Sequence, residues 1–176
     1  EKGPQSLATL RYIMQLAKEY TVYQVLGNND WLWDEPETED KQANEELLGY
    51  MLSRNSIFRD MCTELGIKVS EKTDVLAMKR AIKTAFREEW NYLRELPDIL
   101  ESEHYIFVHA GLESEDLQQQ EKMNCVKNDW FFSREIFFSR WCIVGHFPVC
   151  LYDQEKIDCT VRIDRAGKII SIDGGC

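Results

Sequence analysis

Three polar side chains that could bind a metal ion each follow a short apolar segment of the sequence. Asn28 and His146 come one glycine after such a segment, and His109 comes directly after another. Short apolar runs rich in β-branched and aromatic residues predict buried strands, and the carboxyl ends of strands in an α/β sheet meet at one edge. An amide oxygen with two imidazoles suits Mn, Fe or Zn, whereas Mg and Ca prefer shells made of oxygen. The sequence therefore predicts a transition-metal site at a sheet edge.

Each of these residues also has an ordinary structural interpretation. The segment Gly27–Asp30 is by itself typical of a turn that ends a strand. A single histidine at a strand end is commonly a hydrogen-bonded core residue. The combination of two histidines and an asparagine, all at strand ends, favours the metal site. The remaining histidine, His104, precedes its strand among glutamates, and we expect it at the surface.

The elements that must position these residues are strands alternating with helices. A helix is predicted at Ser6–Tyr20, where apolar residues recur at helical spacing. The strands that lead to the site are expected at Thr21–Leu26, Tyr105–Val108 and Trp141–Val144. Further strands are predicted in the tail, at Val149–Tyr152, Lys156–Ile163 and Lys168–Ile172. The residues between Glu121 and Phe138 are expected to be helical or irregular.

A long helical region separates the first strand from the second. Helices are predicted at about Gln42–Leu52, from an N-cap at Ser56 to before Gly66, and from Val75 to Pro97. The aromatic stripe of the longest helix favours core packing over contact with a cofactor. We interpret residues 39–97 as a helical insert within one domain that spans 1–176. The insert would be a cap over the site or a partner surface.

The composition excludes several classes of protein. The chain has 176 residues, of which 44% are hydrophobic, and a net charge of −10. These values fit one packed domain, and they disfavour nonspecific binding to nucleic acid polymers or anionic membranes. No apolar run is long enough to span a membrane, and the start is not a signal peptide. The six cysteines form no C-x-x-C pair, so a reducing, cytoplasmic setting is expected. Nothing in the sequence indicates an oligomeric state.

Four segments in order resemble motifs of the calcineurin-like metallophosphoesterases. They are Gly27–Asp30, Val108–Leu112, Val144–Pro148 and Ile172–Cys176. Within that superfamily they are most similar to the branch that holds Ser/Thr protein phosphatases and symmetrical dinucleoside tetraphosphatases. The segment Glu1–Ser6 is similar to the end of the family's G-D-x-x-D-R-G-P-x-S motif. The resemblance covers the chain from end to end apart from the insert.

The resemblance implies an α/β fold, a two-layered β-sandwich flanked by helices, with two metal ions at one sheet edge. Asn28, His109 and His146 match ligands of the second metal ion. Lys2 matches an arginine that contacts phosphate, and Arg134 is similar to the phosphate-binding arginine of a W-x-R-E pattern. Asn28 is a candidate phosphate contact as well. Two metal ions would activate a hydroxide for in-line attack on phosphorus.

The chain departs from the family pattern in ways that bear on catalysis. The D-x-H motif and the first Asp of G-D-x-x-D-R would precede Glu1, so this chain is expected to hold one metal ion at most, out of two in a longer protein. Asn29 stands where the family often has a histidine that acts as general acid, a contribution typically worth about 10²–10⁴-fold. Asp30 and Glu1 are the other candidates for a catalytic role. Lys2 keeps the charge of arginine without its bidentate fork.

Two functions from different classes follow from this resemblance. The first is a metal-dependent phosphoesterase, of cytoplasmic and bacterial type, that hydrolyses phosphate mono- or diesters in a phosphoprotein or a nucleotide. The second is a catalytically impaired module of the same fold that binds a phosphorylated ligand or a protein partner. Asn29 and the ligands absent before Glu1 favour the second. Retention of Asn28, His109, His146 and Arg134 favours the first.

Overall fold

The computed structural model describes residues 3–31, 45, 48–49, 56–152 and 158–175. The chain is a mixed α/β protein whose contacts divide it into two compact units. The helical unit comprises residues 1–22 and 29–95, and the sheet unit comprises residues 23–28 and 96–176. The helical unit thus contains the first helix as well as most of the segment interpreted as an insert.

The regular elements are as follows. The α-helices are α1 (Ser6–Glu19), α2 (Asn28–Trp31), α3 (Ile57–Glu64), α4 (Val75–Ala85), α5 (Arg87–Arg94) and α6 (Lys122–Val126). The strands are β1 (Ile99–Glu101), β2 (Tyr105–Val108), β3 (Trp141–Val144), β4 (Arg162–Asp164) and β5 (Ile169–Ser171). Short 3₁₀ turns lie at Leu117–Gln119, Phe131–Ser133 and Val149–Leu151. No helix among the described residues is both long and apolar enough to cross a membrane.

The helical unit confirms two helices expected from the sequence. Helix α1 matches the predicted Ser6–Tyr20 within one residue. Helix α3 begins after Ser56, whose hydroxyl accepts a hydrogen bond from the Arg59 backbone N–H. A residue at this cap satisfies a backbone donor that the helix itself leaves unpaired. Gly66 follows the helix with φ +70, a backbone conformation that favours glycine. Of the helix predicted at Gln42–Leu52, only Glu45, Leu48 and Gly49 are described, and they are helical.

Arg11 joins three elements of the helical unit. Its guanidinium pairs with Glu64 at the end of α3, at 3.1 Å, and with Glu89 on α5, at 2.7 Å. It also lies 5.7 Å from the ring centroid of Phe86. Because Glu89 is buried, this charge pair satisfies a carboxylate that water reaches poorly.

The single long helix predicted from Val75 to Pro97 is wrong, because the chain breaks at Phe86. Phe86 has φ −114 and ψ 45, outside the helical region, and it separates α4 from α5. The apolar stripe recurs every four residues, and in a straight helix each such step rotates the stripe by about 40°. The break lets Met78, Ile82, Phe86 and Trp90 all be buried, as the aromatic stripe predicted.

The sheet unit contains a five-stranded mixed sheet in the order β1-β2-β3-β5-β4. The central strands β2, β3 and β5 are parallel, and the edge strands β1 and β4 are antiparallel to their neighbours. Strands β2 and β3 lie where the sequence predicted them, and β5 lies within the predicted Lys168–Ile172. The buried core against one face comprises Ile106, Val108, Leu112, Cys125, Phe131, Phe138, Cys142, Val144 and Ile169.

Two predicted strands, Thr21–Leu26 and Val149–Tyr152, are absent from the described residues, and one observed strand, β1, was not predicted. Residues 21–26 have no regular structure, although the Leu26 N–H donates to the Pro97 carbonyl just before β1. Tyr23 in this segment is exposed, so its apolar side chains do not supply the buried face that a strand of this kind needs. β1 takes the edge position instead.

The tail also differs from its prediction. Val149–Leu151 forms a 3₁₀ turn that starts after Pro148, and the Val149 N–H donates to the Asp173 carbonyl. Of the strand predicted at Lys156–Ile163, the observed β4 keeps only Arg162 and Ile163, and residues 153–157 lie outside the described residues.

Cys62, Cys125 and Cys142 are buried free thiols, as expected for small apolar residues. Burial raises the pKa of Cys62 and of Cys125 to about 11 and that of Cys142 to about 12. At neutral pH these thiols are protonated and resist alkylation while the protein is folded.

These raised pKa values predict that stability falls in alkali. A thiol in the unfolded chain titrates near about 8.5, so between about pH 9 and 11 the native state binds more protons than the unfolded state. The free energy of unfolding should therefore decrease as pH rises. Cys142→Val, which removes one buried thiol, should make this decrease shallower in urea titrations across that range. An unchanged slope would contradict the assignment.

Candidate metal centre

Parallel pairing of β2 with β3 brings the two strand-end histidines together. The ladder pairs Tyr105 with Trp141, and the Gly145 N–H continues it by donating to the His109 carbonyl at 2.8 Å. The imidazole rings of His109 and His146 lie edge to face, with their centroids 5.1 Å apart. The sequence-based expectation that these strand ends meet at one sheet edge is confirmed.

Asn28 joins this pair from the start of α2. Its Oδ1 lies 2.9 Å from Nε2 of His109. An amide oxygen can only accept, so in this contact the His109 Nε2 carries the proton. The three side chains predicted as metal ligands, Asn28, His109 and His146, therefore converge within the sheet unit.

Asp129 completes the group, although no sequence pattern indicated it. Its Oδ1 lies 2.8 Å from Nε2 of His146, whose side chain is 11% exposed whereas that of Asp129 is 44% exposed. Because an ionised carboxylate only accepts hydrogen bonds, His146 donates through Nε2, and in the neutral ring the lone pair lies on Nδ1. A carboxylate that holds a metal-binding imidazole in this way is a common feature of metal sites.

The backbone of His146 is strained. Its φ of +66 lies in the left-handed region, which residues other than glycine seldom adopt. Such a conformation costs on the order of 1 kcal/mol and persists where the surroundings require it. At this position it places the imidazole beside Asp129 and His109.

Gly111 and Phe131 fix the segment that carries Asp129. A Cβ atom added to Gly111 would lie 2.6 Å from Cγ of Phe131 and 2.9 Å from its Cβ. Phe131 is fully buried and belongs to the core, and its 3₁₀ turn follows Asp129 closely in the chain. Only glycine allows the loop after His109 to approach this ring so closely.

Arg134 lies just beyond that turn. Its guanidinium is 3.6 Å from the carboxylate of Glu113, and both side chains are about half exposed. Glu113 follows His109 in the same loop, so Arg134 lies near the segment that leaves the candidate site. Its predicted contact with phosphate stays a prediction.

The structure describes some of the other predicted site residues and does not describe others. Asn29 is buried and Asp30 is half-buried, and both follow Asn28 in α2 and belong to the helical unit. Glu1 and Lys2 lie outside the described residues. His104 is exposed, as expected. Within the part of the chain that the structure describes, no three His, Cys, Asp or Glu side chains cluster closely enough to hold a metal ion. The group of Asn28, His109 and His146 is not such a cluster, because one of its three members is an asparagine amide.

Comparison with known proteins leaves the family open. No protein-family model matches the chain, and no curated protein sequence matches it significantly. The assignment of a function therefore depends on the residues and their geometry.

The signal that could have identified Asp129 is its place in the chain. It lies in the same short segment as Arg134, for which the sequence analysis proposed a phosphate contact, and Trp130 follows it directly. An acidic residue beside an exposed aromatic residue is common on surfaces, so this pattern alone does not distinguish a site residue. The contact with His146 depends on the turn at Phe131, which has no sequence signature.

The contact between Gly111 and Phe131 predicts a strong effect of one added methyl group. Gly111→Ala should lower the free energy of unfolding by about 1–3 kcal/mol, because the buried ring cannot move without disturbing the core. Gly145→Ala is the matched control, since its Cβ would lie 3.6 Å from the His109 carbonyl oxygen, an ordinary contact. Urea unfolding of both variants measures the difference. Equal destabilisation would show that the Phe131 ring does not restrict position 111.

Proposed function

We propose that this chain is a metal-dependent phosphoesterase domain with the fold of the calcineurin-like metallophosphoesterases. It would hydrolyse phosphate mono- or diesters, with a phosphoprotein or a nucleotide as substrate. One observation carries the proposal. Asn28, His109 and His146 converge near the carboxyl ends of parallel strands, with Oδ1 of Asn28 2.9 Å from Nε2 of His109 and the two imidazole centroids 5.1 Å apart.

The donor set fits a transition-metal ion. Ligand atoms bound at about 2.0–2.2 Å to one ion lie roughly 3 Å apart, and Oδ1 of Asn28 lies 2.9 Å from Nε2 of His109. A metal ion bound there would replace the proton that Nε2 donates to Oδ1. Two imidazoles and an amide oxygen suit Mn, Fe or Zn. The resemblance implies two such ions, and Asn28, His109 and His146 are proposed to hold one of them. When bound, they would supply an activated hydroxide and stabilise charge on phosphorus.

The residues of the chain have separate parts in this proposal. Asp129 accepts the Nε2 proton of His146, which holds the imidazole in one orientation and tautomer. Arg134 and Lys2 are proposed to bind phosphate, because cations aimed at the transferring group stabilise the charge that develops on it. Asn29 takes the position of the family's general acid, where an amide cannot supply a proton at neutral pH.

The second candidate function is a catalytically impaired module of the same fold that binds a phosphorylated ligand or a protein partner. The identity of Asn29 favours it, since an amide cannot act as the general acid at this position. The two candidates agree on phosphate and metal binding and differ in turnover.

The first prediction from this function concerns metal binding. In a calorimetric titration with Mn²⁺, the chain should bind at most one ion, and His146→Ala or His109→Ala should abolish that binding. Asp129→Asn should weaken it by about 10–100-fold, because the carboxylate no longer holds the imidazole. His104→Ala, which removes an exposed imidazole, should have no effect. Binding of Mn²⁺ that His146→Ala leaves unchanged would overturn the metal site.

The second prediction concerns hydrolysis by the product of the complete reading frame. Loaded with Mn²⁺, that protein should hydrolyse an aryl phosphate, and Arg134→Ala should lower kcat/KM by about 10²-fold. Arg165→Ala, in the exposed turn between β4 and β5, should be near neutral. Metal and phosphate binding with no hydrolysis of either an aryl or an alkyl phosphate would favour the binding module.

A further inference from the structure

One cation of the sheet unit lies on an aromatic platform. The guanidinium carbon of Arg162, on β4, lies 4.9 Å from the ring centroid of Tyr152 and 5.3 Å from that of Phe132. Among the residues that the structure describes, no carboxylate forms a salt bridge with it. Within the described part of the chain, the exposed guanidinium of Arg162 thus contacts aromatic rings and forms no ion pair.

Aromatic contacts join this cation to the candidate metal centre. The Tyr152 ring lies 4.9 Å from the ring of Phe132 and 4.9 Å from that of Phe147, measured between centroids. Phe147 follows His146 directly, and Phe132 lies in the turn that follows Asp129. Both members of the His146–Asp129 pair thus have a neighbour in the chain that contacts Tyr152.

The electrostatics of Tyr152 place Arg162 and Asp129 in the same region. Burial raises the pKa of the Tyr152 phenol, the positive charge of Arg162 opposes the rise, and the carboxylates of Asp173 and Asp129 add to it. The phenol is therefore protonated at neutral pH. One half-buried side chain interacts with both the cation of the platform and the carboxylate of the metal centre.

Arg162 is better suited to receive an anion than Arg134. The charge of Arg134 is partly compensated by Glu113, 3.6 Å away, whereas the contacts of Arg162 are to ring faces. A guanidinium stacked on aromatic rings is held in place while the N–H donors at its edge stay available. Those donors match the oxygens of a phosphate group in a bidentate arrangement.

We propose that Arg162, positioned by Tyr152 and Phe132, binds the phosphate group of the substrate at the metal centre. The ligand class is a tetrahedral phosphate, either an ester or the inorganic phosphate released from it. This inference rests on the proposed function and names a phosphate-binding cation that no motif indicates. Tyr152 and Phe132 act as positioning residues through Arg162.

The test uses inorganic phosphate and the full chain saturated with Mn²⁺. Calorimetry should show that Arg162→Gln weakens phosphate binding by about 10-fold or more, the usual effect of losing a charge-assisted hydrogen bond. Arg165→Gln is the control, because it removes the same charge from the nearby exposed turn, and it should change the affinity by less than about 2-fold. Tyr152→Leu should weaken binding, and Tyr152→Phe, which keeps the ring, should not.

The outcomes separate this inference from the proposed function. If the wild-type chain binds phosphate and Arg162→Gln behaves like Arg165→Gln, Arg162 is not the phosphate cation and the proposed function stands. If the metal-loaded wild-type chain binds no phosphate, both proposals are overturned. Arg162→Lys is the control for misfolding, since it keeps the positive charge and the aliphatic part of the side chain. If Arg162→Lys binds phosphate with an affinity between those of the wild type and of Arg162→Gln, a bidentate contact by Arg162 is supported.

Discussion

The parallel pairing of β2 with β3 is the constraint on which the candidate site depends. Parallel strands end at the same edge of a sheet, so the residues that follow them lie side by side although the chain between them is long. The hydrogen bond from the Gly145 N–H to the His109 carbonyl extends the ladder one step beyond the strands. This last pairing sets the distance between the two imidazoles.

A second constraint acts from the core. The Phe131 ring fills the space under Gly111 and belongs to the same cluster as Ile106 and Cys142 on the central strands. The turn at Phe131 therefore has a fixed position relative to the strand ends, and the residues directly before and after it are held in place with it. Packing of apolar residues thus determines where a carboxylate meets an imidazole.

The sequence predicted most elements whose side chains are buried in a regular pattern. β2, β3, β5, α1 and α3 follow from apolar runs, helical periodicity and one N-cap, because those signals are local. Residues 21–26 have the composition of a strand but lack its ladder, which depends on neighbours that local sequence does not describe. The break at Phe86 likewise reflects the shape of the core more than propensity.

The residues of the candidate site likewise differ in whether a local sequence pattern predicts them. Asn28, His109 and His146 were found because each follows an apolar segment, and for His109 and His146 that segment is a strand, as the sequence indicates. Asp129 lies beside a 3₁₀ turn, and its contact with His146 is made by side chains from two different segments of the chain. Such contacts have no local pattern.

The left-handed backbone of His146 has a consequence for how this sequence would change over time. Glycine or asparagine would adopt the same conformation at lower energy, so thermodynamic stability alone favours losing the histidine. The hydrogen bond with Asp129, the contact with His109 and any use for the imidazole oppose that loss. In lineages where the site has lost its use, position 146 should become glycine or asparagine before its neighbours in β3 change, because those neighbours are held by the core.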